Sequence, residues 1–102
     1  MKYEFKEDKT LEKVQEFIKA TYRLHYAGSK QSTEEIFEAG FGESFCIGNI
    51  MKYARRYGKK GKKKELDLYK LIHYAIILIG KLDEEREKDA REYEQQIQLD
   101  MD

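Results

Sequence analysis

Asn49, Lys52 and Arg56 recur at i, i+3 and i+7, and Asp67, Lys70 and Tyr74 repeat that spacing further along the chain. At about 100° per residue, each trio falls on one face of a helix. A tight antiparallel hairpin would bring the two faces toward one cleft. Lys52 and Lys70 could neutralise phosphate oxygens, and Arg56 would add a bidentate fork. Asn49 would supply an amide, and Asp67 could orient a basic side chain, hold a hydroxyl or help place a magnesium ion. The ordinary reading of the same residues is an interhelical salt bridge, Asp67 with Arg56 or Lys52.

Other chemistry-bearing residues carry less. The loop Gly58-Lys-Lys-Gly-Lys-Lys-Lys64 is cationic and glycine-broken. It lacks the Gly-x-x-x-x-Gly-Lys-Ser/Thr order and any preceding strand, which excludes a Walker-type site and leaves a solvated lysine loop as the alternative. His25 and His73 are the only histidines. Without clustered cysteines or carboxylates they make no metal site, and His73, in an apolar stretch, reads as a hydrogen-bonded core residue. His25 closes a helix ahead of Gly28-Ser29 and is the better ligand candidate. Tyr53, Tyr57 and Tyr74 could stack on a base or could simply pack. Cys46 has no activating base in view and reads as a small core residue.

The elements that must position these residues are helices. Leu11, Val14, Phe17, Ile18 and Tyr22 recur at three- and four-residue steps, so a first helix should run from a cap at Asp8 or Thr10 to about Tyr26, behind a short extended arm at residues 1–6. Ser32 and Glu35 form a capping-box pattern for a short second helix, and Gly40 suits the left-handed position after it. Ser44 is positioned to cap a third helix ending near Tyr57, with Ile47, Ile50, Met51, Ala54 and Tyr57 as its core face. A long fourth helix should begin near Glu65. Its middle, Leu71 to Ile79, is apolar nearly all round, which points to burial on several sides and to a homo-oligomer. Beyond Leu82 only a thin stripe of Arg86, Ala90, Tyr93 and Ile97 continues, as a helical extension or a tail.

Composition bounds the rest. A chain of 102 residues without proline holds one all-α domain, a compact bundle of about four helices with a long C-terminal helix. Lys+Arg and Asp+Glu both number 20, so no net field favours nucleic acid or a membrane. The charges are segregated, however: residues 52–64 are basic and residues 83–102 mostly acidic. One cysteine, no basic-then-apolar N-terminal signal and no apolar run near the roughly 20 residues that span a bilayer point to a soluble protein of a reducing cytoplasm.

The chain also resembles a known family. The matching stretch begins at His25-Tyr26, passes through Glu35-Ile-Phe-Glu-Ala39, is strongest from Phe45 through Gly48-Asn49, Lys52-Tyr53 and Arg56 to Gly58-Lys59-Lys60, and resumes at Asp67-Leu-Tyr-Lys70 and His73-Tyr74. These residues resemble small bacteriophage and prophage proteins of a domain of unknown function, often labelled nucleotide-kinase-like after a phage nucleotide kinase that lacks a P-loop. The resemblance covers about residues 25–82. It implies a phage-type protein of the bacterial host cytoplasm that binds a nucleotide or other phosphate-bearing small molecule in a basic inter-helix cleft, sequestering or handling it. His25, Asn49, Lys52, Tyr53, Arg56, Lys59, Lys60, Lys70 and Tyr74 would be ligand-binding residues and Asp67 the catalytic or organising carboxylate. In the kinase version, magnesium would be the one cofactor and a nucleoside monophosphate the phosphate acceptor. The family usually has an acidic pair where Leu66-Asp67 stands and Lys-Lys where Tyr69-Lys70 stands, which favours binding over turnover. A protein-binding inhibitor of a host enzyme would use the same charge asymmetry without a pocket.

Overall fold

A computed structural model describes residues 1–25, 32–59, 61 and 63–101. The chain forms four helices: α1 (Glu7–His25), α2 (Ser32–Glu38), α3 (Gly42–Arg56) and α4 (Glu65–Met101). Among the described residues there is no strand, and no described helix is long and apolar enough to cross a membrane. The first six residues make a turn at Glu4 and Phe5 instead of an extended arm. The Phe5 amide donates to the Glu7 carboxylate at 2.7 Å, and Thr10 N–H reaches the Lys6 carbonyl, so the helical ladder starts just ahead of Asp8.

The link from α2 to α3 shows how local chemistry sets tertiary position. The Phe41 amide donates to the Ile36 carbonyl and the Gly40 amide to the Phe37 carbonyl, the two bonds of a Schellman motif. Gly40 occupies the required left-handed position at φ 91°. That turn delivers the chain straight into α3 at Gly42, where the Phe37 ring lies against the Cα so closely that no Cβ would fit. Ser44 therefore sits inside the first turn and does not cap it. Its hydroxyl donates to the Phe41 carbonyl at 3.2 Å, and Phe41 makes no side-chain cap bond.

α3 and α4 form the central hairpin. Arg56 meets Asp67 near the loop, while Phe45, at the other end of α3, packs its ring on Tyr74. α3 is rotated from the expected orientation. Gly42 and Cys46 are buried and Phe45, Asn49, Ile50, Tyr53 and Arg56 half-buried, whereas Ile47, Met51 and Tyr57 remain 45, 60 and 46% exposed. The rings of Phe45 and Tyr53 offer α4 more area than the aliphatic stripe does, and they occupy a different side of the helix. α1 lies on α4 through Phe17, whose ring is 5.6 Å from Tyr69 and edge-on to His73 at 6.3 Å. Of the expected α1 stripe, Val14 is buried and Leu11 stays 65% exposed.

α4 continues without a break past Leu82, its 37 residues spanning about 55 Å. The radius of gyration is 18.0 Å, against about 13 Å for a compact chain of this length. Besides Gly42, the buried apolar residues among those described are Val14 and Cys46, and the buried polar ones are Asp67 and His73.

Candidate functional site

The hairpin brings Lys52, Tyr53 and Arg56 of α3 against Asp67, Lys70 and Tyr74 of α4. Arg56 donates to the Asp67 carboxylate from both Nε, at 3.0 Å, and Nη2, at 2.8 Å, the two bonds converging on Oδ1. Asp67 is 6% exposed by side chain and Arg56 30%, so the pair lies at the floor of the hairpin with the guanidinium reaching toward solvent.

Tyr53 is the hub. Its ring stacks on Tyr74 with centroids 6.1 Å apart and planes 15° from parallel. Three cations surround the same ring: Lys52 Nζ at 4.6 Å from its centroid, the Arg56 guanidinium carbon at 4.7 Å and Lys70 Nζ at 5.3 Å. Each is within the range where the ring quadrupole attracts a cation, and the guanidinium is further held by Asp67. Neither Lys52 nor Lys70 has an ion-pair partner among the described residues.

Two hollows flank this cluster. One, of about 190 Å³, lies between α1 and the hairpin and is lined by Phe17, Thr21, Tyr53, Lys70, His73, Tyr74 and Ile77. Burial holds the His73 imidazole below its ordinary pKa, so it is neutral at pH 7 and adds no charge there. The other, a broad depression of about 510 Å³, is lined by Gly48, Met51, Lys52, Arg55, Arg56 and Lys59. The cations thus stand between an aromatic recess and an open basic surface.

Several expected ligand residues stand apart. The Asn49 amide donates to the Phe45 carbonyl one turn back at 2.9 Å, so it serves its own helix. Lys59 is exposed on the rim of the basic depression. His25 ends α1, but its side chain, like Lys60, lies outside the described residues. Burial raises the Cys46 thiol, in keeping with a packing role. Sequence reasoning missed Phe17, which read as part of the apolar face of α1, and Thr21, which it did not single out. Their position on the recess depends on how α1 crosses α4, which the pattern within α1 does not encode.

Neither the curated proteins nor the solved structures compared with this chain gave a match. A family model does match, over residues 3–76, spanning α1 to α3, the cation cluster and the start of α4. The chain is a member of the family described as protein of unknown function (DUF3310).

Proposed function

We infer that this is a nucleotide-binding protein, with phosphate held by Lys52, Arg56 and Lys70 and the base against the rings of the aromatic recess. The observation that carries the reading is the convergence of three cations on the Tyr53 ring with a single carboxylate, Asp67, engaged among them. Like charges held together repel, and a bound anion relieves that repulsion while accepting charge-assisted hydrogen bonds. Asp67 supports binding by fixing the Arg56 fork and so acts as a positioning residue. The sequence likeness to small phage proteins labelled nucleotide-kinase-like supports the nucleotide as the phosphate-bearing ligand. It also supports a role in handling or sequestering nucleotides.

The test is a thermal-shift and calorimetric screen of mono-, di- and triphosphate nucleotides, with and without magnesium, since a ligand that binds only the folded chain raises its midpoint. Lys52→Ala and Lys70→Ala should each weaken the best ligand by about tenfold or more, the scale of one charge-assisted hydrogen bond. Lys63→Ala, in the exposed loop, should leave binding within about twofold, a difference of roughly 0.4 kcal/mol. Binding lost with the loop lysines but indifferent to Lys52 and Lys70 would replace the cleft with a diffuse basic patch.

A further inference from the structure

α4 carries an apolar stripe that the rest of the fold covers only in part: Ile72, Ala75 and Leu82 are half-buried, while Leu68 and Ile79 are exposed. On α4, Leu68, Ile72, Ala75, Ile79 and Leu82 follow one another at steps of four and three residues, and Arg86, Ala90, Tyr93 and Ile97 carry the same face onward. From Leu68 to Ile97 is 29 residues, which at 3.6 residues per turn is very nearly eight full turns, so the two ends lie on one straight line along the helix. Leu68, Ile79, Tyr93 and Ile97 are 39, 58, 69 and 41% exposed. Every residue from 83 to 101 is exposed, so among the described residues nothing is packed on this part of α4. α3 also leaves Ile47 and Tyr57 exposed.

We propose that α4 pairs antiparallel with α4 of a second copy of this chain, in a register where the paired residue numbers sum to 165. The stripe is self-complementary in that register. Leu68 meets Ile97, Ile72 meets Tyr93, Ala75 meets Ala90, Ile79 meets Arg86 and Leu82 meets Asp83 at the two-fold axis. Large residues oppose large ones at the ends and alanine opposes alanine between them. Near the axis, Arg86 lays its stem on Ile79 and can send its head to Asp83 of the second copy. An interface of this kind uses one patch twice, as two-fold symmetry requires.

Charge and area select a second copy over another partner. Residues 83–102 hold nine acidic and three basic side chains, and residues 52–64 hold eight basic and no acidic ones. Antiparallel pairing lays the acidic end of each chain toward the basic end of the other, with Lys64 at the level of Met101, one residue beyond Asp100. The two helix dipoles also oppose. The accessible surface is 8665 Å², where a globular monomer of this mass exposes about 6,000 Å². A standard interface buries about 800 Å² per partner, so a third of the excess is enough to form one.

The test uses the full chain. Light scattering at micromolar concentration should give twice the 12.2 kDa chain mass. Tyr93→Asp with Ile97→Asp should halve that mass and leave the helical circular dichroism of residues 1–82 in place, because these two side chains are on the exposed extension and not in the packed part of the fold. The register is read by cross-linking with a short bis-maleimide, to which the fully buried Cys46 is closed. A chain carrying Ala75→Cys and Ala90→Cys together should cross-link to a dimer. Either substitution alone should not, since in this register two copies of residue 75 stand about 22 Å apart along the axis. A monomeric mass for the unaltered chain, a mass unchanged by the two aspartates, or cross-linking by each single cysteine, which marks a parallel pair, overturns the proposal.

Discussion

Arg56→Ala should cost this fold more than Asp67→Ala, although the two residues form one ion pair. The asymmetry follows from burial: Asp67 keeps 6% of its side-chain exposure and Arg56 30%. Removing the arginine strands a carboxylate away from water, and breaking a buried pair from one side costs about 3–5 kcal/mol. Because the guanidinium is part-solvated, the lower end applies, about 3 kcal/mol. Removing the aspartate instead leaves a guanidinium that still faces water and the Tyr53 ring, a loss nearer 1 kcal/mol. The double substitution removes both charges and should fall between the two, so that adding Asp67→Ala to Arg56→Ala restores stability. Urea unfolding read by circular dichroism measures all three as shifts in midpoint at constant slope. Protein concentration must be fixed, since self-association adds to apparent stability. If the single substitutions cost the same within about 0.5 kcal/mol, or the double costs their sum, the pair is not coupled as described. The same reasoning makes Arg56→Ala a poor probe of ligand binding, because it disturbs the fold first, and it is why Lys52 and Lys70 carry that test.

Acidification should destabilise the fold through His73, which is 8% exposed and whose pKa burial lowers from 6.5. The unfolded chain takes up the proton first, so the stability His73 contributes is whole above about pH 6.5 and is lost as pH falls toward the folded-state value, by at most about 1.4 kcal/mol per pH unit. Melting the protein between pH 8 and 5 should show this fall and His73→Phe should flatten it; equal pH slopes for the two chains would contradict the assignment. Gly42→Ala should lower stability by about 1–3 kcal/mol despite the better helix propensity of alanine, because the new Cβ meets the Phe37 ring. An unchanged midpoint would mean that α2 does not hold Phe37 there.

The helices were legible because their signals are local. Gly40, the three- and four-residue apolar spacing of α1 and the turn before Glu65 each depend on neighbours within a turn or two, and the expected elements match α1 to α4 within a few residues. The orientation of α3 was not legible. Its aliphatic stripe of Ile47, Ile50, Met51 and Ala54 satisfies the pattern for a core face, yet the half-buried residues are Phe45, Asn49, Ile50, Tyr53 and Arg56. What decides between the two is the partner, since the rings of Phe45 and Tyr53 find Tyr74 and Arg56 finds Asp67. The candidate site was legible in part for the same reason. Lys52, Arg56, Asp67 and Lys70 were singled out by spacing alone, but the ring that gathers them, Tyr53, read as a possible stacking residue and not as their centre.

The rotation of α3 assembles the cation cluster. Had Ile47 and Met51 packed inward, Tyr53 would face solvent, and Lys52 and Arg56, one turn apart on the same face of α3, would turn together away from Lys70 of α4. Turning Tyr53 onto Tyr74 instead draws Lys52, Arg56 and Lys70 to one ring on the side of the hairpin that α1 borders. The cost is that Ile47 and Met51 of α3 are left in water. Covering the stripe of α4 with the second copy would bury apolar surface that the hairpin leaves exposed at Leu68 and Ile79. It would also leave the cation cluster open, because Lys70 and Ile79 lie on opposite sides of α4. Ligand binding and self-association are therefore separable in this arrangement: charge removal at Lys52 and Lys70 acts on one, and charge insertion at Tyr93 and Ile97 on the other.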